Sequence, residues 1–357
     1  PPLPQPPPLW PAMEDEPPPM ADPFQPPQQR RGGAREEGRA AKGKVGPAAF
    51  AGSLRAHARA AQWAHALRVL SRMGRRGFPP SVHLMGAVAS ACSRGSQWGR
   101  ALGLFEECTQ PDLVMCNIAI DACDKGGRWA HALALFRRMP GLCLPPDVVS
   151  CSAAISACTK QGRWDVALLL LREMPEHSIV ANVFAYNASI SACAKGQHWQ
   201  RAFALFGEVL EQGFSPNVVT YNATVSACEK GMQWQQALDL FAGMQLRCLS
   251  PSVVTYNAAI SACGERWEHA LGLLSRMRPS HAAPDNVTLS AAISACAEGS
   301  QWARAFVVLQ ELESAGLRPD AISLSAAMKA CARGHQWLLA LHLLDESAER
   351  KVRLHHI

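Results

Sequence analysis

Apolar residues recur along the chain at helical spacing, in a unit of about 35 residues that residues 218–252 illustrate. In the first half of this unit the apolar positions are three or four residues apart, which places them on one face of an α-helix. They are Val218, Tyr221, Val225 and Cys228. Asn222, Ser226 and Lys230 fall on a different, polar face. The pattern therefore predicts a first helix, helix A, in the unit.

A second apolar stripe predicts another helix, helix B, which begins at Trp234. Its further apolar positions, at a period near 3.6 residues, are Ala237, Leu238, Phe241 and Met244. Gly231 lies between the two helices and suits a C-cap with left-handed backbone, which glycine adopts without cost. Pro251 cannot extend helix B and marks its end. One such hairpin cannot bury its apolar faces alone, so the units are expected to stack.

Nine tryptophans mark nine such units, because they are separated by 35, 31, 35, 35, 35, 33, 35 and 35 residues. The chain is therefore divided into an N-terminal leader, 1–46, and a repeat region, 47–357. The two short units are expected to have lost residues from their connections, where length changes are tolerated. The predicted units are 47–81, 82–112, 113–147, 148–182, 183–217, 218–252, 253–285, 286–320 and 321–355.

Composition changes this picture mainly at the N-terminus. Residues 1–46 hold 13 of the 26 prolines, which predicts a disordered, proline-rich leader that either is simply solvated or binds an SH3 or WW domain. The leader contains six basic and six acidic residues, so the net charge of +6 belongs to the repeats. This mild basic excess is compatible with a nucleic-acid partner. The chain contains no apolar run long enough for a membrane span.

Thirteen cysteines are present, and eight of them occupy the same position of helix A. This position lies on the apolar stripe, where a free cysteine packs as a small hydrophobic residue. No pair has CxxC spacing, so the sequence predicts core thiols and no metal site. The eight are Cys92, Cys123, Cys158, Cys193, Cys228, Cys263, Cys296 and Cys331.

The units open with sequences such as PNVVTYNATVSAC and PDVVSCSAAISAC and continue with ALxLFxxM in helix B, as in QQALDLFAGM. This pattern resembles the pentatricopeptide repeat family over residues 47–355. A tetratricopeptide repeat would instead place its tryptophan in helix A within WxxLGxxY. The resemblance implies an all-α, right-handed superhelical solenoid of about nine helix-turn-helix repeats. It also implies single-stranded RNA as the partner, with one nucleotide for each unit.

In that family the base is read by the fifth residue of a unit together with the last. The fifth residues recur inside helix A, where N-capping does not explain an Asn. The matching pairs are Asn117 with Asp147, Ser152 with Asn182, Asn187 with Asn217, Asn222 with Ser252, Asn257 with Asp285, and Ser290 with Asp320. The family's code then implies U, A, C or U, C, U and G for units three to eight. Ala51 and Gly86 imply weak discrimination in the first two units, and Ser325 with His355 matches no familiar pair.

A cation lies two residues after the repeated cysteine in most units, and one cation per unit suits one phosphate per nucleotide. The candidates are Arg94, Lys125, Lys160, Lys195, Lys230 and Arg333. The competing interpretation is that each cation complements the dipole at the C-terminus of helix A. The repeated tryptophans, by their register with the helix B stripe, are interpreted as packing residues rather than as platforms for bases.

The sequence shows no catalytic constellation and no phosphate-cradling loop, so a non-enzymatic chain without cofactors is predicted. The favoured function is sequence-selective binding of single-stranded RNA. The resemblance places it in a mitochondrion or plastid, in RNA processing, stabilisation, editing or translation, with processing or editing factors as further partners. The alternative is a protein-interaction scaffold that binds peptide segments in the groove, like a tetratricopeptide protein.

Overall fold

Nine pairs of antiparallel helices follow one another in the computed structural model, which describes residues 47–278 and 282–349. The A helices are α1 Pro47–Arg59, α3 Val82–Arg94, α5 Leu113–Lys125, α7 Val148–Lys160, α9 Val183–Lys195, α11 Val218–Lys230, α13 Val253–Ala262, α15 Asn286–Glu298 and α17 Ala321–Arg333. The B helices are α2 Trp63–Arg75, α4 Trp98–Glu106, α6 Trp129–Arg138, α8 Trp164–Glu176, α10 Trp199–Glu211, α12 Trp234–Leu246, α14 Trp267–Met277, α16 Trp302–Ser314 and α18 Trp337–Glu349.

The A helices begin where a side chain satisfies the free backbone N–H groups of their first turn. The last residue of the preceding unit accepts a hydrogen bond from the backbone N–H of the third residue of helices α5, α7, α9, α11, α13, α15 and α17. The capping residues are Asp112, Asp147, Asn182, Asn217, Ser252, Asp285 and Asp320. The residue that ends one unit therefore fixes the start of the next.

The helices stack in two layers. Each A helix packs closely against the A helices before and after it and against the neighbouring B helices, whereas successive B helices in the described part of the chain meet through long side chains, such as Arg137 with Glu173 and Arg201 with Trp164. The A helices consequently form the continuous inner layer and the B helices the outer one. The predicted all-α fold of stacked helix hairpins is confirmed. No described helix has the length and apolar character of a membrane span.

The apolar stripes predicted from the sequence form the core. In α11, Tyr221, Val225 and Cys228 are buried, and in α12 Phe241 and Met244 are buried. The eight repeated cysteines are buried free thiols, as predicted.

The two short units lose residues from helices and not from connections as the sequence analysis expected. Helix α4 has 9 residues instead of the 13 of most B helices, and the connection that follows it is of ordinary length. Helix α13 has 10 residues instead of 13. Removing the last turn of a helix keeps its buried face in register with its neighbours, because the remaining turns do not rotate.

Gly231 does not have the left-handed backbone that the sequence analysis assigned to it. Its φ is −84°, and the left-handed residue is the next one, Met232, with φ 53°. The same shift occurs after α9, where Gln197 follows Gly196 with φ 61°. The glycine therefore has a different purpose, which its packing reveals below. The predicted leader, residues 1–46, lies outside the described residues.

Candidate nucleic-acid interface

Five of the six predicted reading pairs are joined by hydrogen bonds between their side chains. Each bond links the fifth residue of a unit to the last residue of the same unit. Because this last residue also caps helix A of the next unit, the pair forms where two units meet. The donor-to-acceptor distances are 3.3 Å from Asn117 Nδ2 to Asp147 Oδ1, 3.4 Å from Asn187 Nδ2 to Asn217 Oδ1, 3.3 Å from Asn222 Nδ2 to Ser252 Oγ, 3.3 Å from Asn257 Nδ2 to Asp285 Oδ1, and 3.4 Å from Ser290 Oγ to Asp320 Oδ1. The long spacing in sequence thus becomes a contact at each junction.

The pair of the fourth unit is different. Ser152 is buried and its hydroxyl has no partner among the described residues. Asn182 is exposed and accepts a hydrogen bond from the backbone N–H of Ala185 at 2.9 Å. The structure therefore brings these two residues to one junction without joining them. In the ninth unit, the hydroxyl of Ser325 bonds to the carbonyl of Ile322, and His355 lies outside the described residues.

Asp285, the aspartate of the seventh pair, has a pKa below that of an ordinary aspartate. Burial works to raise the pKa of Asp285, but hydrogen bonds from the backbone and hydroxyl of Thr288 and from Asn257 outweigh it and lower the pKa. A carboxylate offers only acceptors, so it determines that the amide nitrogen of Asn257 faces Asp285. The carboxylate thus orients the amide.

An exposed apolar side chain lies beside each pair, and the sequence analysis missed it. The second residue of helix A is 58–63% exposed in seven units, although it is apolar in all of them. It precedes the fifth residue by three positions and so shares its helix face. These residues are Val114, Val149, Phe184, Val219, Val254, Val287 and Ile322. Their signal in the sequence is an apolar residue outside the buried stripe at a constant position.

Four of the six candidate phosphate contacts have partners in the preceding unit. Arg94 donates to the carbonyl of Ala58 at 2.6 Å, and Arg333 donates to the carbonyls of Ala297 and Glu298 at 3.0 Å and 3.1 Å. These carbonyls lie in the last turns of α1 and α15, so the arginines cap those helices across a junction.

Two lysines bind carboxylates as well. Lys125 Nζ lies 2.6 Å from Asp121 Oδ2 of its own unit and donates to Ser93 Oγ of the preceding unit at 3.2 Å. Lys160 Nζ lies 3.1 Å from Asp124 Oδ1 of the preceding unit and donates to the carbonyl of Asp124 at 2.9 Å. Lys195 and Lys230 are exposed, and within the described part of the chain neither has a hydrogen bond or an ion pair. These two are therefore the cations with most freedom to meet an anionic ligand.

The tryptophans pack between units. Partly buried against the core are Trp63, Trp98, Trp129, Trp164, Trp199, Trp267 and Trp302. Trp234 is partly buried beneath Arg266 of the next unit, and Trp337 is exposed. The indole of Trp164 lies against Gly196 of the next unit, and the guanidinium of Arg201 lies 4.2 Å from its ring centre. Trp63, Trp98 and Trp267 have the same two neighbours, a glycine and an arginine. Because both neighbours come from the next unit, the packing interpretation is supported.

The fold and the row of polar pairs together define a helical-repeat protein whose candidate ligand surface repeats with the unit. Within that class, the chain carries pentatricopeptide repeats in its third to seventh units. The model of the PPR repeat family matches residues 146–195, 181–230 and 216–265, and the PPR repeat model matches residues 114–144. The matched stretches contain the joined pairs of the third, fifth and sixth units and also the unjoined pair of the fourth.

Solved structures show the same fold. The pentatricopeptide repeat protein PPR10 from maize is 24% identical with a TM-score of 0.55, over 85% of this chain and 44% of its own. PPR10 in complex with an 18-nucleotide psaJ RNA element is 18% identical with a TM-score of 0.51, over 86% of this chain and 56% of its own. The chain thus spans about half the length of these proteins. The comparison with curated proteins gives no match.

Proposed function

We propose that the chain binds single-stranded RNA and reads one base with each unit from the third to the eighth. The observation that carries this proposal is the row of hydrogen-bonded polar pairs, present at five of the six junctions and each beside an exposed apolar side chain. Asn, Asp and Ser offer the donors and acceptors that recognise the edge of an unpaired base. PPR10, which has this fold, has been solved with bound RNA.

The exposed apolar residues are the proposed contacts for the two faces of each base. A base read by Asn222 would lie between Val219 of its own unit and Val254 of the next, since both side chains flank the junction and are exposed. Contact between these side chains and the two faces of the base would remove apolar surface from water. The polar pair would then face the edge of the base.

The proposed base order is U, A, C or U, C, U and G for units three to eight, as the family's code assigns it. Lys195 and Lys230 are the proposed phosphate contacts, whereas Arg94, Lys125, Lys160 and Arg333 hold neighbouring units together through the bonds described above. A cation at a helix C-terminus also complements the helix dipole. Because these four residues are already engaged in bonds within the protein, they would add only weakly to RNA binding.

The proposed biological role is in a mitochondrion or plastid, where the bound transcript is protected, processed, edited or translated with the help of other factors. The match to the PPR repeat family alone supports this part. The repeat units themselves are assigned no catalytic step, and any chemistry on the RNA would come from a further segment of the protein or from a partner.

In vitro selection from a random RNA pool, with the full chain as bait, tests the proposal. The enriched sequences should contain U, A, a pyrimidine, C, U and G in this order. A variant with Asn117, Asn222 and Asn257 all changed to Ala is the control, and it should lose the enrichment while its thermal unfolding remains cooperative. A flat selection result at low salt would contradict the proposal, and binding of peptides without RNA would favour the scaffold alternative.

A further inference from the structure

A third residue lies at five of the junctions, beneath the reading pair. It is the third residue of the following unit, and its hydroxyl forms a capping box with the last residue of the pair. These residues are Ser150, Thr220, Thr255, Thr288 and Ser323, and their relative exposure is 0%. The sequence patterns discussed above give them no function other than starting a helix.

Two of these hydroxyls also reach the fifth residue. Thr288 Oγ1 donates to Asn257 Oδ1 at 2.6 Å, with Asp285 Oδ1 as a second acceptor at 2.8 Å, and Thr255 Oγ1 donates to Asn222 Oδ1 at 2.5 Å. At the other end of the amide, Asn257 Nδ2 donates to the carboxylate of Asp285. Both ends of the Asn257 amide are therefore held before any ligand arrives.

The third unit provides a matched comparison, because Asn117 with Asp147 is the same pair as Asn257 with Asp285. Here Ser150 follows instead of a threonine. Its hydroxyl turns to the carbonyl and the carboxylate of Asp147, both at 2.9 Å. Asn117 Oδ1 is buried and has no partner among the described residues. The family's code treats the two Asn and Asp pairs as identical. The amide of Asn257 in the seventh unit is nevertheless hydrogen-bonded at both ends, whereas that of Asn117 in the third unit is bonded, among the described residues, only at its nitrogen.

Threonine alone does not determine this outcome. After Asn187, the hydroxyl of Thr220 bonds to Asn217 Oδ1 at 3.1 Å, and Asn187 Oδ1 remains buried without a partner. Asn217 carries an amide where Asp285 has a carboxylate. The two-ended arrangement with a carboxylate therefore needs the combination of Asn, Asp and Thr, which the junction between the seventh and eighth units provides.

A base-reading amide whose two ends are already hydrogen-bonded loses less conformational freedom when it binds a base. It also accommodates a base other than its preferred one less well. An amide with an unpaired buried oxygen gains by turning toward a new donor, and it can adapt to more than one base. We propose that Thr288 is a positioning residue that fixes the amide of Asn257 and so makes the seventh unit more selective than the third, although both have the Asn and Asp pair. The inference rests on the proposed reading of RNA bases by these units.

A reciprocal exchange tests this inference, because Thr288→Ser and Ser150→Thr interchange the two junctions while keeping both capping hydroxyls. The probes are a synthetic RNA with UACCUG and two derivatives with cytosine at the first or the fifth nucleotide. In the wild type, the preference for U over C should be about three to ten times stronger at the fifth nucleotide, the ratio that one net hydrogen bond gives. Thr288→Ser should remove this surplus, and Ser150→Thr should create it at the first nucleotide.

Two further measurements separate a positioning role from a purely structural one. Thr288→Val should also remove the surplus, but it loses the capping hydroxyl and should therefore lower the unfolding midpoint, unlike Thr288→Ser. In NMR spectra of the free protein, the side-chain amide protons of Asn257 should exchange with water more slowly than those of Asn117. In the double variant Thr288→Ser and Ser150→Thr, the protons of Asn117 should instead be the slower ones.

The outcomes are distinct. If both nucleotides are discriminated and the exchange leaves the two ratios unchanged, the positioning role is wrong and the proposed function stands. If the wild type discriminates at neither nucleotide, the proposed function fails, and the NMR measurement decides the positioning role alone. Equal hydrogen exchange of the Asn257 and Asn117 side-chain amides would then overturn that role as well. Slower hydrogen exchange at Asn257 that Thr288→Ser abolishes would support the positioning role.

Discussion

The indole of Trp199 occupies the place where a Cβ atom on Gly231 would lie. Trp199 opens helix B of the fifth unit, and Gly231 follows helix A of the sixth, so the contact crosses a junction. Gly231 has an ordinary negative φ. The absence of a side chain, and not a special backbone conformation, is what this position requires.

We therefore expect Gly231→Ala to destabilise the junction between the fifth and sixth units. The added methyl group would overlap the indole, and overpacking of this kind costs about 1–3 kcal/mol. Chemical denaturation monitored by circular dichroism measures the effect. Combining Gly231→Ala with Trp199→Ala should cost less than the sum of the two single changes, because the clash disappears with the ring.

Gly207 is the matched control. It lies inside α10, and no atom lies within 4 Å of a Cβ built there. Gly207→Ala should therefore stabilise the protein by about 0.5–1 kcal/mol through helix propensity. Equal effects of the two substitutions would show that the indole contact does not explain Gly231.

The sequence was sufficient to predict the helices, which follow from periodicity, and the positions of the polar pairs, which follow from the resemblance to the pentatricopeptide repeat family. Tyr221 and Val225 are buried because they recur on one helix face, and Asn222 meets Ser252 because the repeat length brings the end of a unit to the start of the next helix. The purpose of Gly231 could not be predicted from its own unit. Its neighbour Trp199 is a residue of another unit, and the packing angle between units decides their contact.

The cation series shows a second limit of sequence reasoning. Lys160 and Lys230 occupy the same position of helix A, yet among the described residues only Lys160 of these two lysines forms an ion pair, with Asp124. That partner lies in the preceding unit, 36 residues away in sequence. Residues at equivalent positions therefore differ in charge environment for reasons that the consensus of the repeat does not contain.

The thirteen free cysteines should fall into two classes of reactivity. Cys143 and Cys248 are exposed, and the other eleven are buried. Native protein treated with Ellman's reagent at pH 8 should release about two equivalents quickly, since reaction requires an accessible thiolate. The remaining thiols should react only with unfolding. The double variant Cys143→Ser and Cys248→Ser should lose the fast phase, and a fast phase that persists would contradict the burial of the repeated cysteines.

The buried thiols should also make the fold sensitive to alkali. Burial is the main cause that raises the pKa of Cys158 to about 12, against 9.0 for an ordinary thiol. Between these values the unfolded chain has lost a proton that the folded chain retains, so stability falls as the pH rises above about 9 and is fully present below it. The fall is about 1.4 kcal/mol per pH unit for one thiol.

Cys158→Ala tests this dependence. The variant should be less stable at pH 7 because it loses packing, but its unfolding free energy should fall less steeply between pH 9 and the alkaline limit of the measurement. Urea denaturation at a series of pH values gives both slopes. Parallel curves for the wild type and the variant would mean that the thiol of Cys158 titrates equally in both states.

Lys230 and Lys160 should differ in their effect on RNA binding. If Lys230 contacts a phosphate, Lys230→Ala should lower the affinity for UACCUG and reduce the slope of log affinity against log salt by about 0.7. Lys160→Ala should leave the slope nearly unchanged and instead lower the unfolding midpoint, because it breaks the bonds to Asp124. Fluorescence anisotropy at several salt concentrations measures the slopes, and equal slopes for both variants would contradict the division between the two lysines.

Ser252→Asp should change the base preference of the sixth unit alone. Ser252 is the N-cap of α13, and Asp285 caps α15 in the same manner, so the substitution keeps the helix start. It converts the pair of Asn222 from the serine type to the aspartate type that Asn257 already has. The fourth nucleotide of UACCUG should consequently shift from C toward U, by about three- to tenfold in relative affinity for one altered hydrogen bond.

Competition binding with RNAs that differ at single nucleotides measures this shift at every position. Because the reading pairs lie at separate junctions and share no side chain, the preferences at the third and fifth nucleotides should remain as in the wild type. Asp285→Ser is the reverse substitution and should move the fifth nucleotide from U toward C. A change that spreads over all six nucleotides in either variant would mean that the units do not act as independent one-base modules, whereas opposite local shifts in the two variants would establish the pair at each junction as the determinant of base choice.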